Sequence, residues 1–271
     1  VKCPLQFYFK YVLHLSEKES LSDELETNEI GTFIHNLLKH TFIPYINKKP
    51  VIDIKFKKQF YTLLEKSFNE TFLKRMKSDY YLLKEVLYFW MEHFIEFEQK
   101  RITEVEKILY LEQPFHYEQF LGQKKYVFNV IIDRVDLLTD DSILILDYKT
   151  GSKPDSTLKN FLKYKNEPLS RIFIKEKIKS FQLPIYLKTV SKNFKGKKIN
   201  ASLYCIKEKY NKLDLYLSEE VSQEENTLFL DTIDNALNFI LTEICEIKTP
   251  FVADKNNETI CKYCSFTALC K

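Results

Sequence analysis

The sequence predicts a mixed α/β fold in which one β-sheet is flanked by helices. Apolar residues recur at helical spacing before residue 104, and there their period changes to that of β-strands. Three strand patterns, a helix, two further strands and a long helix follow in that order, which suits a mixed sheet covered by helices. With 22 Phe and 17 Tyr among 271 residues, the chain can bury a large core and is not a disordered segment.

The first part of the chain is expected to be helical. Proline suits the first turn of a helix, so Cys3-Pro4 opens a short aromatic one. Two later patterns have long aromatic faces, and we interpret the block 45–102 as a helical insertion within a single domain of residues 1–271. The four helices are expected after Pro4, over 28–45, near 53–75 and near 79–101.

The second part alternates strands with helices. Segments rich in β-branched and aromatic residues, bounded by polar turns, predict strands near 104–118, 124–138, 142–149, 198–206 and 212–217. Helices are expected over 178–190, despite Pro184, and over 222–246. A cysteine-rich tail, residues 247–271, ends the sequence.

Several classes of protein are excluded by composition. The chain has only four glycines and no G-x-x-x-x-G-K-S/T motif, so it carries no nucleotide-driven motor of its own. No apolar run approaches the length of about 20 residues that a membrane span needs, and no signal peptide is visible. We therefore expect no membrane partner and a cytoplasmic location.

Two carboxylates and one lysine are expected at a shared edge of the sheet. Side chains of a strand alternate between its faces, so Asp147 and Lys149 point the same way. If Thr139-Asp140-Asp141 is a three-residue hairpin loop, Asp133 stands directly opposite Asp147, with Cβ atoms about 5 Å apart. A two-residue loop would place the two carboxylates on opposite faces of the sheet.

A basic stretch follows this predicted site. Residues 153–179 hold eight basic side chains against three acidic ones, although the net charge of the whole chain is only +3. A solvated surface accounts for most such charge runs. The position of this one, directly after the site, also suits contact with a phosphate backbone.

Three of the six cysteines lie in the last eleven residues. The C-x-x-C spacing of Cys261 and Cys264 lets two thiolates reach one metal, and Cys270 and the distant Cys3 complete a set of four. These four cysteines could hold zinc, or some of them could form a disulfide. A reducing compartment disfavours the disulfide. The other two, Cys205 and Cys245, are expected to be buried apolar residues.

Five short motifs occur in one order along the chain. They are Gly31-Thr32-Phe33-Ile34-His35, Glu112-Gln113-Pro114-Phe115, Asp133-Arg134-Val135-Asp136, Asp147-Tyr148-Lys149-Thr150-Gly151 and Gln182-Leu183-Pro184-Ile185-Tyr186. This series resembles the PD-(D/E)XK nucleases of the RecB-like branch. With the cysteines, it looks most like the C-terminal nuclease domain of AddB-type helicase-nuclease subunits. One position departs from that pattern, since Val130 stands where such domains often have glycine.

The resemblance implies a restriction-endonuclease-like core and a metal-dependent active site. Asp133 and Asp147 would bind Mg²⁺ or Mn²⁺, with the His35 imidazole and the Tyr148 carbonyl as further ligands. Lys149 and Gln182 would act on the attacking water or the phosphate. The four cysteines, Cys3, Cys261, Cys264 and Cys270, would hold a 4Fe-4S iron–sulfur cluster, with zinc as the alternative.

Each of these residues also has a structural interpretation. A lone histidine on an apolar helix face, such as His35, is more often a core residue, although Gly31 permits a close backbone approach beside it. Asp133 could pair with Arg134 or a neighbouring lysine instead of a metal. Asp136 could be the ligand in its place, although three residues along a strand it faces the other side. Lys149 could be a structural ion-pair partner, and Glu112 could form a salt bridge at the end of a strand.

The predicted function is a metal-dependent deoxyribonuclease acting on single-stranded DNA. It is expected to work as an exonuclease with a helicase region or subunit in the repair and recombination of double-strand breaks. One alternative is a stand-alone or CRISPR-adaptation exonuclease, against which the helical block 45–102 argues. The other is a DNA-binding scaffold whose cutting is vestigial, although the complete Asp–Asp–Lys set disfavours it.

Overall fold

A computed structural model describes most of the chain. The described residues are 3–16, 27–74, 79–121, 123–151, 167–207, 214–217, 222–246, 248–254, 261–262 and 264–270.

The centre of the molecule is a five-stranded mixed sheet with strand order β1-β2-β3-β4-β5. Antiparallel pairing joins β1 to β2, β2 to β3 and β4 to β5, whereas β3 and β4 are parallel. The strands are β1 (Val105–Leu121), β2 (Lys124–Leu138), β3 (Ile143–Lys149), β4 (Ile199–Cys205) and β5 (Asp214–Leu215). The predicted mixed sheet is therefore confirmed. Its last strand ends at Leu215, two residues before the predicted end, and residues 212 and 213 of that prediction lie outside the described part.

Helices precede, interrupt and follow the strands. None of those in the described part of the chain combines the length and the apolar character that a membrane crossing requires. The α-helices are α1 (Pro4–Phe7), α2 (Thr27–Phe42), α3 (Ile54–Phe72), α4 (Tyr80–Arg101), α5 (Arg171–Phe173, continued by π-helical Ile174–Ile178), α6 (Gln182–Ser191) and α7 (Gln223–Cys245).

The sheet separates two apolar cores. Alternate residues of β3 enter opposite cores, because successive side chains of a strand point to opposite faces. Leu144 and Leu146 pack with the aromatic residues of α2, α3 and α4, and Ile143 and Ile145 pack with α5, α6 and α7. This layered arrangement is that of a restriction-endonuclease-like α/β fold.

The helix expected over 178–190 is divided in two. Ile178 ends the preceding helical segment, and Lys179 has a φ of 59°, a positive value that a continuous right-handed helix does not contain. Helix α6 starts at Gln182, so Pro184 lies in its first turn, where no intrahelical hydrogen bond is lost. The prediction was wrong about the start of this helix and right about its tolerance of proline.

A buried ionic network joins α4 to β2. Glu98 accepts hydrogen bonds from Arg101 at 2.6 Å and from Arg134 at 2.6 Å. Asp136 completes the network at 2.8 Å from Arg134 and 2.9 Å from Arg101, and the Arg134 guanidinium lies over the Phe42 ring. All four charged groups are buried, so each requires its partners. The helical layer is thereby fixed to the residues of β2 that adjoin Asp133.

Candidate metal centre and catalytic residues

The β2–β3 hairpin has the loop that the prediction required. The Leu138 N–H donates to the Ser142 carbonyl at 2.8 Å, which leaves three residues in the loop. Asp141 has a φ of 66°, the left-handed conformation common at the end of such loops. The resulting register pairs Arg134 with Leu146. It places Asp133 and Asp147 level with each other, as predicted.

Strand β1 brings a third carboxylate to the same place. Leu111 pairs with Arg134 and Gln113 with Ile132, so Glu112 stands level with Asp133. Glu112 has a φ of 47°, a conformation that costs a residue with a side chain roughly 1–3 kcal/mol and recurs at functional sites. The strained backbone of β1 thus sits at the position that faces Asp133.

Helix α2 supplies the histidine. A Cβ on Gly31 would lie 3.3 Å from Thr150 Oγ1, so the absence of a side chain lets α2 approach the end of β3 closely. One turn later, His35 Nδ1 lies 3.3 Å from Glu112 Oε1 and 3.3 Å from Asp133 Oδ1. His35 Nε2 lies 3.1 Å from the Tyr148 carbonyl oxygen. His35 is therefore a residue of the site rather than an apolar-core histidine.

Three ligand-bearing side chains converge. The ligand atoms of His35, Glu112 and Asp133 all lie within 4.8 Å of one another. Asp133 is oriented by the backbone, because its Oδ2 accepts a hydrogen bond of 2.6 Å from the Tyr148 N–H. Arg134, which was the alternative ion-pair partner of Asp133, pairs instead with Glu98 and Asp136. Among the described residues, this is the group whose side chains could hold a metal ion.

The environment of His35 indicates what the site attracts. Burial alone would lower the pKa of His35, but hydrogen bonds and charges from Asp133 and Glu112 outweigh it and raise the pKa to about 10. Both ring nitrogens face oxygen acceptors, an arrangement that only the protonated imidazole satisfies. The surrounding oxygens therefore favour a positive charge at this point.

This donor set fits a divalent cation. Two carboxylates and the Tyr148 carbonyl are the hard oxygen ligands that Mg²⁺ and Mn²⁺ prefer, and a neutral imidazole adds a nitrogen donor. Replacing the proton on His35 with a metal would supply the positive charge that Glu112 and Asp133 attract.

Asp147 lies beside this group of three, and it does not belong to it. Its Oδ2 is 2.6 Å from Lys149 Nζ, and its Oδ1 accepts a hydrogen bond of 2.6 Å from Gln182 Nε2. Burial and the negative charge of Asp133 raise the pKa of Asp147 to about 6, against the opposing charge of Lys149. The convergence of Asp133, Asp147 and His35 on one cation thus stays a prediction.

Gln182 connects the lysine with the carboxylate. Its side-chain carbonyl accepts a hydrogen bond from Lys149 Nζ at 3.0 Å, while its amide donates to Asp147. Lys149 is half-buried at the edge of the site, and it forms the ion pair with Asp147 that the structural interpretation anticipated. The structure therefore brings together all four residues predicted to be catalytic: Asp133, Asp147, Lys149 and Gln182.

One residue of the site was missed. Tyr186 Oη accepts a hydrogen bond from Gln182 Nε2 at 2.9 Å and donates one to the Ile131 carbonyl at 3.0 Å. It also lies 3.4 Å from Asp147 Oδ1. The available signal was its spacing, because residues four apart on a helix share a face and Gln182 was already a candidate.

The basic stretch is described only in its second half, since its residues 153, 159, 163 and 165 lie outside the described part. Arg171 pairs with Glu243 at 2.7 Å and Lys175 with Asp254 at 2.6 Å. These two cations are compensated by carboxylates of the protein, which weakens the expectation that they contact phosphates.

The two ends of the chain meet near the predicted cysteine site. The Asp254 N–H donates to Cys3 Sγ at 3.4 Å, and Cys261 Sγ lies 3.8 Å from the Asp254 carbonyl. None of the six cysteines, all of which lie in the described part of the chain, forms a disulfide. Within the described residues, no three of these thiols lie within 4.8 Å of one another, so no compact mononuclear site is preformed. Of the two cysteines expected to be buried, Cys205 is buried and Cys245 is only half-buried.

A cavity of about 990 Å³ lies against these chain ends rather than at the catalytic residues. Its walls come from α1, α5, the end of α7 and residues 249–254. Its wall contains none of the four residues predicted to be catalytic.

Comparisons with known proteins identify the family. The family model of the PD-(D/E)XK nuclease superfamily matches residues 1–271, the full length of the sequence. No curated protein matches the chain. The crystal structure of SSO0001 aligns at 21% identity with a TM-score of 0.30, over 59% of this chain and 59% of that one. The alignment spans less than two thirds of that protein. On the strength of the full-length family match, the chain belongs to the PD-(D/E)XK nuclease superfamily.

Proposed function

We propose that the protein is a divalent-metal-dependent deoxyribonuclease. The observation that carries this proposal is the convergence of His35, Glu112 and Asp133, with their ligand atoms within 4.8 Å of one another. Lys149 and Asp147 lie next to that group on the adjoining strand. Carboxylates, an imidazole and a lysine in one small volume are the groups that metal-assisted phosphodiester hydrolysis needs.

The residues divide between holding the cation and acting on the substrate. His35, Glu112, Asp133 and the Tyr148 carbonyl would hold Mg²⁺ or Mn²⁺, and Asp147 would join them when Lys149 moves to the substrate. A bound divalent cation lowers the pKa of a coordinated water and neutralises phosphate charge. The Lys149 ammonium would stabilise negative charge on the phosphate, and Gln182 would position Lys149 and Asp147 for this task.

Single-stranded DNA is the proposed substrate, cut exonucleolytically during double-strand-break repair. This part of the proposal is supported by the resemblance of the motif series to AddB-type subunits. On the same support, we propose that a helicase region or subunit delivers the strand.

An iron–sulfur cluster at the four cysteines is proposed as a structural element. It is supported by the C-x-x-C spacing and by the meeting of Cys3 and Cys261 at Asp254. Aromatic contacts between Phe7 and Phe251 and between Phe9 and Phe266 hold the same chain ends together. A cluster there would reinforce contacts that the protein already makes.

Hydrolysis of labelled single- and double-stranded DNA tests the proposed function. We expect cutting with Mg²⁺ or Mn²⁺, loss of cutting after chelation, and loss of cutting in Lys149→Ala at an unchanged melting temperature. A matched control is Lys58→Ala, which removes an exposed lysine from α3. Undiminished cutting by Lys149→Ala would contradict the assigned role of the lysine, and no cutting of either DNA would contradict the proposed activity.

A further inference from the structure

The β1–β2 hairpin extends well beyond the rest of the sheet. Strand β3 pairs with β2 only over Arg134–Leu137, whereas the pairing of β1 with β2 continues to Leu121 and Lys124. The extension has two different faces. On one, Phe115 and Tyr117 are buried and Gln119 donates to Asn238 of α7 at 3.1 Å, so this face is covered by the protein.

The other face of the extension is exposed along its whole length. Its members are alternate residues of each strand, paired directly across the ladder. The exposed apolar ones are large, with Phe120 62%, Ile131 58% and Val127 49% exposed. The four cross-strand pairs are Pro114 with Ile131, His116 with Asn129, Glu118 with Val127 and Phe120 with Lys125.

This face begins at the metal centre. Pro114 and Ile131 come two residues after Glu112 and two residues before Asp133, respectively, on neighbouring strands. The Ile131 carbonyl also accepts the hydrogen bond from Tyr186, which contacts Asp147. A ligand lying along the exposed face would therefore lead directly to the ligand group His35, Glu112 and Asp133.

The chemistry of the face favours bases over phosphates. Its two formal charges, on Glu118 and Lys125, neutralise each other at 2.9 Å. The remaining side chains are apolar, aromatic or amide, and His116 is hydrogen-bonded to Asn129 at 2.6 Å. Proteins that hold single strands without sequence preference combine a positively charged groove with aromatic side chains on which bases stack, and this face offers the second feature through Phe120. Since this face has no net charge, it does not repel a polyanion.

We propose that the exposed face of the β1–β2 hairpin, residues 114–120 and 125–131, binds single-stranded nucleic acid and guides it to the metal centre. The inference rests on the proposed function, because it assumes that the strand is the substrate. Bases stack on Phe120, and Val127 and Ile131 provide apolar contact nearer the site. At about 3.3 Å per residue the face is roughly 20 Å long, which accommodates about six nucleotides at the spacing of a stacked strand.

Binding of a fluorescent oligo(dT) of about 12 nucleotides, followed by anisotropy in the presence of EDTA, tests the inference. We expect the Kd of Phe120→Ala to rise about five-fold or more, and that of Phe120→Tyr to stay near the wild-type value, because the stacking ring is retained. The matched control is Phe89→Ala, which removes an aromatic residue of 51% exposure from α4. The salt dependence of binding should be the same in wild type and Phe120→Ala, since no phosphate contact is removed.

Substrate length provides a second readout. Phe120→Ala should slow the cutting of long single strands and leave the cutting of strands of about three nucleotides unchanged, because these do not reach Phe120. Wild-type affinity in Phe120→Ala overturns the inference, even if wild-type cutting upholds the proposed nuclease. A change confined to self-association, measured by light scattering, also overturns it and marks the face as a protein interface.

The two proposals can fail separately. Phe120-dependent binding without cutting by the wild type upholds the binding of single strands by this face, and it contradicts both the nuclease and the guiding of a substrate to the metal centre. Absence of both binding and cutting overturns both.

Discussion

The Gln182 amide donates a hydrogen bond of 2.6 Å to the Asp147 carboxylate. The same side chain accepts one from Lys149 at 3.0 Å, so the first residue of α6 fixes the relative position of two residues of β3. Such partners of catalytic groups orient them without contacting the substrate themselves. Gln182 is thus the residue through which α6 contacts both Asp147 and Lys149 of β3.

Replacing Gln182 with Ala should lower the rate of DNA hydrolysis about 10- to 100-fold, the usual effect of removing an orienting partner of a metal-site residue. The cause is the loss of both hydrogen bonds, which frees Lys149 and Asp147 to adopt other rotamers. The rate of DNA hydrolysis in the presence of Mn²⁺ measures this effect. The control is Gln99→Ala, at an exposed position of α4. Equal rates in Gln182→Ala and wild type would show that Asp147 and Lys149 are positioned without Gln182.

Replacing Tyr186 with Phe should destabilise the protein by about 1–3 kcal/mol. The change removes the hydroxyl that donates to the Ile131 carbonyl, which is then left without this partner. Urea unfolding of wild type and Tyr186→Phe measures the loss. Tyr81→Phe, at an exposed position of α4, should change the unfolding free energy little. A stability of Tyr186→Phe equal to that of wild type would mean that another donor satisfies Ile131.

The buried network of Glu98 predicts a loss of stability in acid. Burial alone would raise the pKa of Glu98, but Arg101 and Arg134 outweigh it and lower the pKa to about 2, below its ordinary value of 4.5. When folding lowers the pKa of a carboxyl group, its ionised form stabilises the folded protein. This stabilisation is complete at pH values above the pKa that the group has in the unfolded chain. This contribution, on the order of 3 kcal/mol, is lost as the pH falls from 4.5 toward 2.

Glu98→Gln should remove that acid dependence and destabilise the protein at neutral pH by about 3–5 kcal/mol, because two buried arginines then share only the carboxylate of Asp136. Unfolding free energies measured from pH 7 to pH 2 test both effects. Glu96→Gln, at an exposed position of the same helix, is the control. An unchanged acid slope in Glu98→Gln would assign the acid sensitivity to other carboxylates.

The cysteines predict bound metal. Purified wild-type protein should contain iron and inorganic sulfide, whether or not oxygen is excluded during purification. The Cys261→Ala variant should contain neither and should melt at a lower temperature. Elemental analysis and the visible absorption of the cluster measure this directly. Zinc in place of iron would support the alternative site, and wild-type stability in protein that contains neither metal would contradict a structural role for the four cysteines.

The sequence anticipated the parts of the site that follow from strand geometry. The loop of residues 139–141 determines the register of a hairpin, so the alignment of Asp133 with Asp147 could be predicted from loop length alone. The position of Lys149 on the same face as Asp147 could be predicted because side chains of a strand alternate between its faces. The close approach of α2 to β3 could be predicted because Gly31 has no side chain. These are local rules, and each depends on only a few neighbouring residues.

Other parts depend on contacts between distant segments and could not be predicted in this way. Glu112 lies close to His35 and Asp133 because its backbone adopts a positive φ inside β1. No residue pattern indicated that conformation. The pairing of Asp147 with Lys149 and Gln182 depends on how α6 packs on the sheet. The positive φ of Lys179 likewise depends on the tertiary structure, because no glycine lies near it. Pro184 was the local sign of a later helix start, since proline suits the first turn of a helix.

The convergence of His35, Glu112 and Asp133 predicts that these three side chains hold the catalytic cation. Calorimetric titration with Mn²⁺ of wild type, Asp133→Asn and the control Asp53→Asn, at the start of α3, tests it most directly. We predict saturable Mn²⁺ binding by wild type and Asp53→Asn, and its loss in Asp133→Asn with the melting temperature little changed. Equal Mn²⁺ affinity in all three proteins would contradict the account.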